Sequence, residues 1–172
     1  MMFTNDDALS VLVTGLKNAH AMENQALSIM KPQVQRIENY PDMRARLEQH
    51  IGETEGQIER LETIFGDLQE RHSTLKDTML SVGGSMAVLG HAMAGDEVLK
   101  DTFANHAFEN YEIAAYRSLI TLSEMTSLAN VTPLLEQNLS EEENMAQWIR
   151  DHIKAVTERY VSLSSSGQTA KR

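Results

Sequence analysis

The chain has 172 residues, with 25 acidic against 15 basic side chains and a net charge of −10, a length that suits one domain with a substantial core. The acidic balance argues against nucleic-acid or anionic-membrane partners, which need clustered Lys and Arg, and no apolar run reaches the roughly 18 residues that would span a bilayer. The absence of cysteine excludes disulfides, thiolate metal sites and a cysteine nucleophile, so any metal must be held by carboxylate or imidazole. The N-terminus MMFTNDDALS lacks the basic-then-apolar pattern of a signal peptide, and a soluble, cytoplasmic protein is expected.

Three prolines and few alternating β-branched runs leave the 3.6-residue period as the dominant signal, and the chain reads as all-α. Leu9, Leu12, Leu16, Ala19, Glu23, Ala26 and Met30 step by threes and fours behind an acidic cap at Asn5, Asp6 and Asp7. Glu23 thus interrupts an apolar stripe. Asn39-Tyr40-Pro41 separates this helix from a second one predicted from about Asp42 to Leu68, because a residue before proline avoids the α region. The second helix presents Leu47, His50, Thr54, Ile58, Leu61, Phe65 and Leu68, with Glu53 and Gln57 on the flank beside His50. From about Gln69 to Asp96 the pattern weakens at Gly83-Gly84, Gly90 and Gly95, which predicts a crossover of short helices. A third helix is expected over about Asp96 to Leu128, with Glu109 and Glu112 central to adjacent stripes. A fourth begins near Pro133 and aligns Val131, Leu135, Asn138, Glu142, Met145, Ile149, His152 and Val156. The bundle is expected to occupy residues 1–163, and the small polar stretch 164–172 to be a disordered tail.

Two segments nearly repeat: HAMENQ at 20–25 and HAFENY at 106–111, which sets Glu23 and Glu109 86 residues apart. A weaker pair, Glu53 and Glu142, follows at an offset of 89. The repeated unit is a helix hairpin, and two such hairpins around an approximate two-fold axis need a crossover between them. Each hairpin carries one mid-helix glutamate per helix, so folding brings at least four carboxylates toward one centre. A single glutamate on an apolar stripe is ordinarily a solvated edge or a salt-bridge partner. Glu23, Glu53, Glu109, Glu112 and Glu142 together make a metal centre the stronger reading, since buried ionised carboxylates need a cation. His50 stands one turn before Glu53 and serves either as a ligand or as an orienting group. His20 and His106 precede their glutamates by three residues, whereas the commoner bundle motif places His three after Glu, so packing or hydrogen bonding is expected of them. His72, His91 and His152 read as surface or interhelical residues. Tyr111 and Tyr116 flank Glu112 and read as core or as hydrogen-bonding or redox neighbours of the centre.

The runs DAL…NAHAMENQ, IENYPDMRARLEQHIGETEGQIERLETI, FENYEIAAYRSL and LSEEENMAQWI resemble the YciE/YciF-type bacterial stress proteins, and the YciE branch more than the other, along nearly the whole chain. The resemblance implies a ferritin-like antiparallel four-helix bundle with a short helical crossover, a homodimer, and a dinuclear iron or manganese centre. The YciF branch usually has His after the glutamate of its EHYEIA motif; here that position is Asn110, which implies a centre of altered composition or occupancy.

Two functions of different class follow. The first is a dinuclear metal protein reacting with oxygen or peroxide, with Glu53 and Glu142 bridging, Glu23 and Glu109 terminal, and Glu112 free to shift. The second is a non-catalytic stress-response bundle acting through protein partners, its site vestigial or unfilled. Iron storage in a hollow cage would need a large assembly that neither the sequence nor the resemblance suggests.

Overall fold

The computed structural model describes residues 5–71, 96–126 and 128–172. They form an all-α bundle of four long helices: α1 (Asn5–Arg36), α2 (Pro41–Arg71), α3 (Glu97–Glu124) and α4 (Thr132–Ser165). Helix α1 runs through Pro32 and stops at Arg36. After a short turn, Pro41 opens α2, where its missing N–H leaves no helical bond unmade. Helix α3 ends at Glu124, short of the expected Leu128, and a 3₁₀ turn at Ala129–Val131 leads into α4 with Pro133 in its first turn. At this corner the Ser123 and Thr132 hydroxyls lie 2.8 Å apart, and the Thr126 hydroxyl donates to the Ser123 carbonyl. Most of the expected crossover, residues 72–95 with Gly83-Gly84, Gly90, Gly95, His72 and His91, lies outside the described residues.

Each helix buries one stripe, and the stripes expose the duplication. Moving 86 residues back from Val98, Thr102, Asn105, Glu109, Glu112, Tyr116, Leu119 and Ser123 lands on Leu12, Leu16, Ala19, Glu23, Ala26, Met30, Gln33 and Ile37, all of them buried. For the other helix pair the register differs from expectation. Val131, Leu135, Asn138, Glu142, Met145, Ile149 and Val156 fall on buried Met43, Leu47, His50, Thr54, Gln57, Leu61 and Leu68 at an offset of 88, not 89. A single residue rotates a helical position by about 100°. The counterpart of Glu142 is therefore Thr54, and Glu53 belongs to another face.

Two apolar layers enclose a polar one. At one end Leu12, Leu16, Leu61, Ile64, Leu119 and Leu135 pack together; at the other, Met30, Val34, Tyr40, Leu47, Met145 and Ile149 do so. Between them lie Glu23, His50, Thr54, Gln57, Glu109, Glu112, Asn138 and Glu142, all buried.

Residues 164–172, expected to be a disordered tail, instead complete the second end. Helix α4 continues to Ser165, and Gly167, at φ 71°, reverses the chain. Glycine adopts that left-handed conformation without a Cβ clash. The Tyr40 hydroxyl then donates to the Ala170 carbonyl at 2.5 Å, the Asn39 amide side chain to those of Thr169 and Arg172, and the Val98 N–H to that of Lys171. Backbone groups that a polar sequence would leave to water are satisfied by protein, which composition alone does not reveal.

Candidate metal centre

Helix periodicity delivers the polar layer. Glu23 comes from α1, His50 from α2, Glu109 and Glu112 from α3 and Glu142 from α4, each on the buried stripe of its helix. His50, Glu109 and Glu142 each offer a ligand atom, and the three atoms lie within 4.8 Å of one another. His50 Nε2 is 3.2 Å from Glu109 Oε2 and 3.5 Å from Glu142 Oε2, yet neither oxygen receives a well-directed hydrogen bond.

The ring of His50 is oriented from behind. Its Nδ1 lies 2.8 Å from Glu53 Oε2, and Glu53 also accepts from Arg46 Nη1 at 3.0 Å and Gln49 Nε2 at 2.7 Å. Since an ionised carboxylate only accepts, Nδ1 carries a proton and Nε2 is turned into the centre. Glu53, expected as a bridging ligand, lies outside the His50–Glu109–Glu142 group: its side chain is 21 % exposed and engaged by Arg46 and His50. Burial works against its charge, but hydrogen bonds from His50 and Arg46 and the Arg46 charge prevail and lower its pKa to about 2.

Glu23 and Glu142 are each half satisfied. Tyr116 donates to Glu23 Oε1 at 2.5 Å, and Gln57 Nε2 donates to Glu142 Oε1. Four buried carboxyl oxygens, Glu23 Oε2, Glu109 Oε2, Glu112 Oε1 and Glu142 Oε2, have no hydrogen-bond partner, nor has the amide oxygen of Gln57. Desolvation, followed by the Glu142 charge, holds Glu23 and Glu112 well above the usual carboxylate range. Desolvation also dominates at Glu109, pushing it up to about 8 despite the opposing His50 charge. Glu142 is desolvated too, but its contacts with His50 bring it below its ordinary value. Burial resists charging His50, and Glu109, Glu142 and Glu53 together overcome that and raise it. Without a cation, burial thus shifts Glu23, Glu109 and Glu112 toward their neutral forms, while the surrounding carboxylates shift His50 toward its charged form.

The other histidines stand apart. His20 packs edge-on against Phe65, 3.5 Å from Glu62 Oε1, while the side chains of Asn24 and Asn110 bond back to the carbonyls of His20 and His106. His152 stacks on Trp148 with centroids 3.9 Å apart. Tyr111 is half exposed, whereas Tyr116 is fully buried against Glu23. Gln57, expected on the flank beside Glu53, is instead fully buried and donates to Glu142, and Asn138, Arg46 and Arg60 were not singled out by the sequence as parts of the centre. The one available signal was Asn138, a polar residue at a core position of the fourth helix.

Buried carboxyl oxygens without hydrogen-bond partners, beside one imidazole, form a donor set suited to a cation. Residues 7–162 match the family described as a domain of unknown function, DUF892. The chain belongs to this family. The protein YciF of Escherichia coli is 32 % identical over 104 residues, or 54 % of this chain and 58 % of YciF; the matched stretch is a little over half of that relative's length. The YciE/YciF-type resemblance read from the sequence accordingly holds for the family. A crystal structure of a protein from Xanthomonas campestris pv. campestris superposes with a TM-score of 0.74 and 28 % identity, over 92 % of this chain and 98 % of that one. Among the described residues no helix is long and apolar enough to cross a membrane.

Proposed function

We propose that this protein binds iron or manganese in its buried centre, up to two ions, and acts on oxygen or peroxide in the bacterial stress response. The observation that carries the reading is the set of four unpartnered carboxylate oxygens, one each from Glu23, Glu109, Glu112 and Glu142. Polar atoms buried without partners are costly and rare, and a dication would offset that cost. Hard oxygen donors with one imidazole suit iron and manganese rather than a soft metal. His50, Glu109 and Glu142 would hold one ion, and Glu23 and Glu112 would supply carboxylates for a second. When bound, such ions supply Lewis-acid and one-electron redox chemistry toward a small oxidant.

The protein's own contribution is preorganisation. Glu53 fixes the His50 ring, Gln57 and Tyr116 each occupy one oxygen of a carboxylate, and the apolar layers exclude bulk water. Glu23, Glu109, Glu112 and His50 are all shifted toward their protonated forms when no cation is present, so loading should be coupled to proton release from them. A cytoplasmic homodimer completes the proposal.

The test is metal content per chain in protein purified from cells grown with iron and manganese. It is followed by melting of chelator-stripped protein with Fe²⁺ (anaerobically) or Mn²⁺, and by peroxide and oxygen consumption. Bound metal, a raised melting temperature and turnover are expected. A chain that holds no metal and gains no stability from either ion sinks the metal reading and leaves a bundle acting through protein partners. Metal binding without turnover sinks the oxidant reading alone.

A further inference from the structure

A directed chain of hydrogen bonds crosses all four helices and ends on Glu23. It begins at Arg60 on α2, whose guanidinium can only donate. Its Nε donates to Asn138 Oδ1 at 2.5 Å, and its Nη2 pairs with Glu141 Oε2. Because Arg60 claims Oδ1, the Asn138 amide must turn Nδ2 the other way, where it donates to the Tyr116 hydroxyl at 2.9 Å. That hydroxyl has accepted a bond, so its single proton points onward to Glu23 Oε1 at 2.5 Å. Glu23, Tyr116 and Asn138 are completely buried. One oxygen of Glu23 is consumed, and the other, Oε2, is left without a partner.

Nothing in the packing requires a hydroxyl at position 116. The equivalent position in the first hairpin, 86 residues earlier, is Met30, which is equally buried and apolar. The second hairpin instead carries a phenol and an amide whose one consequence at the centre is the pose of Glu23. We propose that Arg60, Asn138 and Tyr116 are positioning residues that hold Glu23 as a one-oxygen donor, occupying Oε1 and presenting Oε2. The inference rests on the metal-centre reading.

The experiment is Co²⁺ binding to the metal-stripped full chain, followed by calorimetry and by the visible absorption of the ion, which reports its coordination. Wild type, Tyr116→Phe, Arg60→Met, Glu23→Gln and the Tyr116→Phe/Glu23→Gln double variant are compared. Tyr116→Phe should weaken binding by about 10- to 100-fold, the usual effect of losing a group that orients a ligand, and should alter the Co²⁺ spectrum. Arg60→Met, at a part-exposed residue, should act in the same direction more weakly, and it carries the test should Tyr116→Phe fail to fold. In the Glu23→Gln background Tyr116→Phe should add nothing, because the contact through which it acts is gone. Wild-type binding by Tyr116→Phe, or an undiminished loss in the Glu23→Gln background, overturns the positioning role and leaves the metal centre standing. If wild type itself takes up no Co²⁺, both fall together.

Discussion

Removing the cation should reverse the usual pH preference of an acidic protein. Glu109 titrates at about 8 in the folded chain against an ordinary 4.5, so above about pH 4.5 the folded state keeps a proton that the unfolded state releases. A carboxylate raised in this way contributes stability that is complete below its unfolded value and is lost as the pH climbs through the folded one. His50, also raised, acts with the same sign. Glu53, at about 2, acts oppositely, but its contribution is complete above about pH 4.5 and is lost only in stronger acid. Each unit is about 1.4 kcal/mol per proton, so Glu109 alone accounts for at most ~4 kcal/mol between about pH 5 and pH 8. At roughly 2–4 °C per kcal/mol for a domain of this size, chelator-stripped protein should melt on the order of 10 °C lower at the higher pH. Glu109→Gln should reduce the dependence, because the amide has no proton to lose, and leave the part due to His50, Glu23 and Glu112. Added Mn²⁺ should have its largest effect at high pH, where its ligands are already deprotonated. Differential scanning calorimetry across this range checks the prediction, and metal-free protein equally stable or more stable at pH 8 would refute it.

Two further outcomes are expected. His50→Ala should empty the His50–Glu109–Glu142 group, whereas Glu53→Ala should keep the ion with about 10- to 100-fold weaker affinity, as read by metal content and calorimetric titration; the reverse order would return Glu53 to the ligand set. Gly52→Ala and Gly66→Ala, in α2 with open space around the new methyl group, should each stabilise by about 0.5–1 kcal/mol in chemical denaturation. Gly15→Ala should not, because its Cβ would lie 2.7 Å from the Leu119 side chain.

The bundle was legible because its signals are local and repeated. Apolar stripes, an Asn-Tyr-Pro break and a Pro near the start of α4 mark helices whose ends differ from expectation by a few residues. The end of α3 was overestimated because the 3₁₀ turn at Ala129–Val131 continues the apolar pattern without continuing the helix. The last residues were misread for a different reason. Ser, Gly, Gln and Thr carry no periodicity, and the Tyr40 and Asn39 donors that hold them come from some 130 residues away.

The centre was legible in kind but not in detail, and Glu53 shows why. Similar acidic runs around Glu53 and Glu142 suggested an offset of 89, yet burial follows 88, and one residue on a helix is the difference between facing the axis and facing the flank. A glutamate is chemically the same in either place; its neighbours decide its role. At the flank Glu53 meets Arg46 and the back of His50, so it acts on the centre through the imidazole. The corrected register also makes the two halves unequal. Asn138 occupies the position of His50, Glu142 that of Thr54, Glu112 that of Ala26 and Tyr116 that of Met30. The first hairpin therefore contributes a glutamate and the one imidazole of the group, while the second contributes three carboxylates together with the Tyr116 and Asn138 bonds that reach back to Glu23. A duplicated backbone has thus become an asymmetric donor set, and any ions it holds would meet unequal surroundings: one has a nitrogen donor within reach, the other only oxygen.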